Sequence, residues 1–546
     1  MESAKHAGDA AVAVSKAYGV ETMFTLSGGH VFPLYDGAVH EDMRILDVRH
    51  EQSAVFAAEA TARLTRRPGL AVLTAGPGIT NGVSGVATAH FNGSPVVVMG
   101  GRAPQSRWGS GALQELDHPP LLKPITKLSF TATDAESIGQ DVEMAFRTAV
   151  APHRGPVFLD FYMDHLFSPS PTHEVRTQTP SPLEPDPDDL AAIARLLAEA
   201  ERPVLIYGSD VWMDRAEEAA RDFAETWRLP VIPNGQGRGV LPSGHELLVT
   251  RARGLALKQA DLVIVIGTPL DFRLGYGWFG SKDALARVVH IADAPSQLAT
   301  HMQPAASAAG DLSVVLWSLG TACGDAGVKP DAYASWVSKL ADTAAAAIAG
   351  DAELLASGSD PIHPMRVYGE LGKVLADDAV VIGDGGDFVS YAGKYVEPKQ
   401  PGNWLDPGPY GCLGTGLGYS VAARLARPSS QVVLLLGDGA AGFSLMDVDT
   451  LVRHKLPVVM ICGNNGIWGL EKHPMQLLYG YDVAAELQPQ CRYDQVVTAL
   501  GGGGELVTKP SEIGPALRRA FDSGIPYMVN IATDPQIAYP RSTTGV

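Results

Sequence analysis

Cysteine is scarce in this chain. There are four in 546 residues, Cys323, Cys412, Cys462 and Cys491, far apart and with no CxxC pair. That excludes a disulfide framework and a cysteine-ligated zinc site, and makes them small apolar residues first. Basic charge is in deficit: 42 Lys and Arg stand against 60 Asp and Glu, a net charge of −18, with no basic stripe. A nucleic-acid partner is therefore not expected, and the surface should be acidic. No apolar run reaches the roughly 18 residues of a membrane-spanning helix. The opening stretch "MESAKHAGDAAVAVSKAYGV" lacks a signal peptide's apolar core, so a cytoplasmic protein with no membrane partner is expected. No short-period repeat is visible.

What the chain does have is 46% hydrophobic residues, in β-rich apolar runs that alternate with Ala-rich helical stretches from end to end. That pattern predicts an α/β fold of three consecutive domains with mainly parallel sheets, each buried on both faces. The Pro-rich stretch "FSPSPTHEVRTQTPSPLEPDPDD" reads as a linker. The expected organisation is an N-terminal domain over 1–166, a linker over 167–189, a central domain over 190–340 and a C-terminal domain with its tail over 360–546. The first and third segments are candidates for similar folds of unlike sequence.

Two apolar strands in the third segment end unusually. "QVVLLLGDGAAGF" stops at Gly437-Asp438-Gly439, and "VVMICGNNGIWG" stops at Asn464-Asn465, with "SLMDVDTLVRHK" between them as a crossover helix. Parallel strands that end side by side bring Asp438 and Asn465 to one point, beyond the carboxyl ends where α/β sheets bind ligands. A carboxylate and an amide oxygen suit Mg²⁺, which keeps few protein ligands and completes its shell from phosphates and water. Gly437 and Gly439 let backbone N–H groups approach that phosphate. Either turn alone is commonplace; the pair in this order and spacing is not.

The pair resembles the signature of thiamine diphosphate-dependent enzymes. The resemblance implies three metal ligands: the aspartate, the second asparagine and a backbone carbonyl two residues later, here Asp438, Asn465 and Ile467. It covers essentially the whole chain, since "TLSGGHVFPLYDG", "RHEQSA", "TAGPGITNGVSGVATA" and "GALQE" follow in the order of acetolactate synthases and their relatives. Carried over in this way, Glu51 is the carboxyl group that binds N1′ of the aminopyrimidine and promotes proton removal from C2. Leu417 props the cofactor in its bent form. Gly386, Asp387, Phe388, Thr415 and Ala440 line the diphosphate loop, with the backbone of Asp387 and not its carboxylate facing the phosphate. His30, in a Gly-rich loop after a strand, and Gln114 are further catalytic candidates. Glu486, in a mobile segment after the metal site, is a candidate base. Because Glu51 and the metal ligands sit in different segments, the resemblance implies a site shared between subunits of a homodimer or homotetramer.

For the substrate, the central stretch "GQGRGVLPSGHELLVTRARGLALKQADLVIVIGTPLDFRLGYG" resembles the 2-hydroxyacyl-CoA lyase and oxalyl-CoA decarboxylase subgroup. This puts first a lyase that cleaves a 2-hydroxyacyl-CoA to formyl-CoA and an aldehyde or ketone. Arg251, Arg253, Lys258 and Arg273 are then candidate partners for an ADP or CoA nucleotide, and FAD is not expected. The alternatives are an acetolactate synthase condensing 2-oxo acids, an oxalyl-CoA decarboxylase, and a non-catalytic cofactor-binding protein. An intact Glu51 argues against the last.

Overall fold

The computed structural model describes residues 6–175 and 181–540. Part of the expected linker, at 176–180, and the end of the C-terminal tail lie outside them. Three parallel sheets follow one another along the chain. The first contains β1 (Thr22–Thr25), β2 (Arg44–Asp47), β3 (Gly69–Leu73), β4 (Val96–Arg102), β5 (Leu128–Ala132) and β6 (Val157–Tyr162), in the order β2-β1-β3-β4-β6-β5. The central sheet uses β7 (Pro203–Tyr207), β8 (Val231–Pro233) and β9 (Leu262–Ile266). After a small antiparallel hairpin, β10 (Gly280–Ser281) and β11 (Ala284–Leu285), come β12 (Arg287–Ala292) and β13 (Ala306–Ala309), giving the order β13-β12-β9-β7-β8. The third contains β14 (Val380–Asp384), β15 (Trp404–Leu405), β16 (Val432–Gly437), β17 (Val459–Asn464), β18 (Gly503–Val507) and β19 (Tyr527–Ala532), ordered β15-β14-β16-β17-β19-β18. Strand for strand, this repeats the order of the first sheet.

The chemistry of the strands explains the arrangement. β3, β9 and the bodies of β4 and β16 are continuous Val, Leu, Ile, Ala, Met and Gly runs, buried along their length as strands covered by helices on both faces must be. One hydrophobic core joins the first and third units. The helix Glu51–Thr65 packs on the helix Thr415–Ala426, and Phe56, Leu417 and Tyr419 share that core. Gly418 makes the approach possible, since a Cβ there would come within 2.8 Å of the Ser53 carbonyl and Phe56 Cβ. Polar bonds reinforce it: Asp447 accepts the Arg49 N–H at 2.7 Å and the Ser53 hydroxyl at 2.6 Å, on either side of Glu51.

The crossover between β16 and β17 differs from the single helix expected. It is built of a helix at Asp438–Ser444, a 3-10 turn at Leu445–Asp447 and a helix at Val448–Arg453. The break turns Asp447 inward to its partners in the first unit. All four cysteines are free. Among the described residues, no helix is long and apolar enough to cross a membrane.

Candidate active site

In the third sheet β14 leads outward to β15 on one side and neighbours β16 on the other, a switch in strand order of the kind that opens a crevice at strand ends. Gly437 pairs with Gly463 in register, so Asp438 and Asn464 leave adjacent strands at the same level. Asp438 is buried, and its two oxygens accept the Gly439 N–H at 3.0 Å and the Gly466 N–H at 2.6 Å. Burial pushes its carboxyl up to about 6, against the pull of these backbone donors. A desolvated carboxylate with only amide partners is suited to a cation.

The two asparagines divide their work. Asn464 is buried and donates to the Cys491 carbonyl at 2.9 Å and to Asn530 Oδ1 at 3.0 Å, tying β17 to its surroundings. Asn465 stands past the strand end, half-buried, its Oδ1 accepting the Ile467 N–H at 3.2 Å. The turn between them and Ile467 needs Gly466, at φ +71. A short backbone clasp holds this loop from outside: Trp468 N–H donates to the Ala485 carbonyl at 2.9 Å and Leu487 N–H to the Gly466 carbonyl at 2.8 Å. Within the clasp Glu486 is 62% exposed, and its carboxylate is paired with Lys472.

The same crevice contains the other diphosphate-loop candidates. Thr415 is fully buried at the start of its helix, and its hydroxyl has no hydrogen-bond partner. Gly439 lies against Trp468, where a Cβ would come within 2.4 Å of the ring, whereas a Cβ on Gly437 would meet nothing within 4 Å. Ala440 lies opposite Gly385, and Phe388 lies under Gly463. Gly386 precedes Asp387, whose carboxylate accepts the Tyr539 N–H at 2.9 Å, from the C-terminal segment. Asp384, to which no role was given from sequence, ends β14 fully buried. It accepts the Gly414 N–H at 3.0 Å and the Gly416 N–H at 2.8 Å, fixing the loop that delivers Thr415 and Leu417. An oxygen-rich strand end, a buried orphan hydroxyl and open space at Gly437 fit a diphosphate with a divalent ion. Asp438, Asn465 and the Ile467 carbonyl, on the ends of adjacent strands, are the residues that could hold such an ion.

The first unit assembles its candidates beyond the ends of β1, β2 and β3. Glu51 is the first residue of its helix, where the macrodipole favours a carboxylate, and it is buried while accepting Asn81 Nδ2–H at 2.9 Å. His30 is buried with Nδ1 3.2 Å from Thr74 Oγ1, and burial lowers its pKa. Gln114 adopts φ +57 beside Gly76, where a Cβ would come within 2.9 Å of Gln114 Cβ. Behind them is a pair that sequence reasoning missed. The Gly76 N–H donates to His118 Nε2 at 2.9 Å, and His118 Nδ1–H donates to Asp160 at 2.7 Å, both side chains fully buried. No local motif around His118 announces this; it depends on residues 42 positions away on either side. Asn81 lies within "TAGPGITNGVSG", a stretch quoted for the resemblance but given no residue role.

The basic residues assigned to a nucleotide are differently placed. Arg251 is paired with Asp351, and Arg273 with Asp271 at 2.7 Å. Arg253 donates to the Arg273 carbonyl at 2.8 Å, and Lys258 is exposed. Three of the four are thus engaged inside the chain.

Residues 5–121, 190–319 and 384–531 match, in that order, the family models for the N-terminal TPP binding domain, the central domain and the C-terminal TPP binding domain of thiamine pyrophosphate enzymes. The chain is 50% identical over 541 residues to the acetolactate synthase large subunit IlvG of Mycobacterium tuberculosis, covering 98% of this chain and 97% of that one. It is 34% identical over 567 residues to 2-hydroxyacyl-CoA lyase 2 of Caenorhabditis elegans, covering 96% and 88%. To 2-hydroxyacyl-CoA lyase 2 of Homo sapiens it is 31% identical over 577 residues, covering 97% and 90%.

Proposed function

The chain belongs to the thiamine pyrophosphate enzyme family, and on that premise we propose that it condenses 2-oxo acids by carbon–carbon bond formation, as an acetolactate synthase. The observation that carries the reaction class is the 50% identity, end to end, with a protein of that name. The sequence put a 2-hydroxyacyl-CoA lyase first, on the pattern of the central segment. The lower identity to the lyases and the internal pairing of Arg251 and Arg273 reverse that order.

Thiamine diphosphate, when bound, supplies a nucleophilic carbon that adds to a carbonyl group. The chain's own residues do the rest. Asp438, Asn465 and the Ile467 carbonyl would hold the divalent ion, Mg²⁺ by its preference for hard oxygen ligands. The backbone of Gly437, Gly439 and Ala440, with Gly386, Asp387, Phe388 and Thr415, would form the diphosphate cradle, and Leu417 would support the bent form of the cofactor. Glu51 holds a proton at the aminopyrimidine, its carboxyl oriented by Asn81. His30 and Gln114 would serve the substrate, as a hydrogen-bonding group and a polar contact. Large apolar side chains exposed near this site, Phe443 and Met446 just beyond Asp438 and Leu477 and Leu478 beyond the metal loop, support a homodimer or a larger homo-oligomer.

The test is product identification. Purified protein with thiamine diphosphate, Mg²⁺ and ¹³C-labelled pyruvate should give acetolactate by NMR. Turnover of a 2-hydroxyacyl-CoA with none of pyruvate would overturn the proposal in favour of the lyase.

A further inference from the structure

Outside the third unit, three carboxylates are buried where the first unit meets the central one. Asp293 follows β12 and is 1% exposed; Asp210 lies on the helix Ser209–Met213, and Asp214 follows it. Facing them are His153 and Arg154, from the loop that precedes β6. Asp214 is satisfied within the chain, paired with Arg154 at 2.5 Å and accepting the Leu312 N–H at 3.1 Å. Lys127, nearby, donates to the Ala151 carbonyl at 2.7 Å.

The remaining three groups are not so settled. His153 packs Cε1 and Nε2 against Gly93, where a Cβ would come within 2.5 Å, and turns Nδ1 to the two Asp293 oxygens, at 3.0 and 2.9 Å. Asp210 is 9% exposed and has no side-chain hydrogen bond among the described residues. Yet one of its oxygens, one His153 nitrogen and one Asp293 oxygen all lie within 4.8 Å of one another. A carboxylate desolvated to this degree requires a proton or a cation. Burial and the neighbouring Asp293 push the Asp210 carboxyl up to about 7, against the opposing pull of His153 and Arg154.

We propose that His153, Asp210 and Asp293 form a divalent-metal site that clips the first unit to the central one. One imidazole nitrogen and two carboxylate oxygens suit Zn²⁺, with water in the fourth position. At the ion a neutral imidazole and two carboxylates offset Zn²⁺; Arg154, whose nearer partner is Asp214 at 2.5 Å, also lies 3.8 Å from Asp293. On binding, the ion takes the place of the proton between His153 and Asp293 and of the proton that Asp210 carries below about pH 7, and both leave to solvent. The site is separate from the oxygen-only set at Asp438, Asn465 and Ile467, and does not depend on the function proposed above.

The experiment counts zinc in the intact protein. Wild type is stripped with chelator, saturated with thiamine diphosphate and Mg²⁺, exposed to Zn²⁺, desalted and analysed by mass spectrometry, with melting followed in parallel. The expected result is one zinc per chain and a higher melting temperature with Zn²⁺. In Asp210→Asn the affinity should be roughly 100-fold weaker and the zinc-induced shift lost. His153→Gln, which keeps a hydrogen-bonding side chain toward Asp293, should behave alike if the first variant folds poorly. Wild type that retains no zinc, or variants that retain as much as wild type, would overturn the proposal. So would an Asp210→Asn protein whose melting temperature matches or exceeds that of zinc-treated wild type while wild type binds no zinc, because a proton would then be the neutralising species.

Discussion

Asp438 and Gly466 are joined across the ends of two adjacent strands: the Gly466 N–H donates to Asp438 Oδ2 at 2.6 Å. The carboxylate contributed by one strand end is therefore oriented by the backbone of the other before any ion is present. This arrangement separates the roles of the two asparagines that close β17. Asn464→Ala removes two hydrogen bonds, a part-buried one to Cys491 and a buried one to Asn530, and should lower the melting temperature of the cofactor-free protein, at a cost of about 1–3 kcal/mol. Asn465→Ala should melt like wild type but lose Mg²⁺-dependent retention of thiamine diphosphate. Scanning fluorimetry with and without the cofactor checks both, and identical behaviour of the two variants would contradict the division.

The glycines flanking Asp438 should also differ. Alanine at 439 would drive a methyl group into the Trp468 ring, 2.4 Å away, and should destabilise the fold by about 1–3 kcal/mol. Alanine at 437 meets nothing within 4 Å and finds a backbone, φ −79 and ψ 158, open to any residue. Gly437→Ala is expected to fold normally and bind thiamine diphosphate more weakly, because the added methyl takes space beside the metal ligand. Melting curves set against cofactor titrations separate the two effects.

Glu51→Gln keeps an oxygen to accept the Asn81 N–H and should preserve both fold and cofactor binding. An amide cannot supply the carboxyl proton, so hydrogen–deuterium exchange at C2 of bound thiamine diphosphate should slow by roughly 100-fold or more. Exchange at the wild-type rate would remove Glu51 from this role.

Asp384 gives a pH dependence. Burial raises its carboxyl from 3.8 to about 6, even with the Gly414 and Gly416 N–H groups holding it. A carboxyl raised on folding contributes stability that is fully present below its unfolded pKa and is lost as pH rises through about 6. The cofactor-free wild type should therefore lose more of its melting-temperature advantage over Asp384→Asn between pH 5 and pH 7 than between pH 7 and pH 8. An advantage that does not change across pH 5 to 8 would show that Asp384 titrates outside that window.

Much of this was legible in the sequence, for physical reasons. Buried parallel strands announce themselves as continuous Val, Leu and Ile runs, and a strand that ends on Gly-Asp-Gly or Asn-Asn places those residues at a crevice by topology alone. The repeat of one strand order in the first and third sheets was foreshadowed only as similar folds of unlike sequence, because the two share burial pattern and not residues. What stayed hidden depends on contacts between distant positions. Asp447 breaks the crossover helix to reach Arg49 and Ser53, and His118 supports Gly76 from a loop without a motif. Arg251 looked available for phosphate because its partner, Asp351, is 100 positions away. The preference between 2-oxo acid and acyl-CoA was the least legible, since motifs of this kind encode the cofactor, while substrate choice rests on a few side chains from several loops.

The central claim is that the ends of β16 and β17 form a metal-bridged diphosphate site, and calorimetric titration of thiamine diphosphate into wild type and Asp438→Ala, each with and without Mg²⁺, tests it most directly. Wild type should bind tightly only with Mg²⁺, and Asp438→Ala should show no Mg²⁺-dependent binding, because the carboxylate that anchors the ion is gone. Equal affinity in the two proteins, or wild-type binding indifferent to Mg²⁺, would contradict the account.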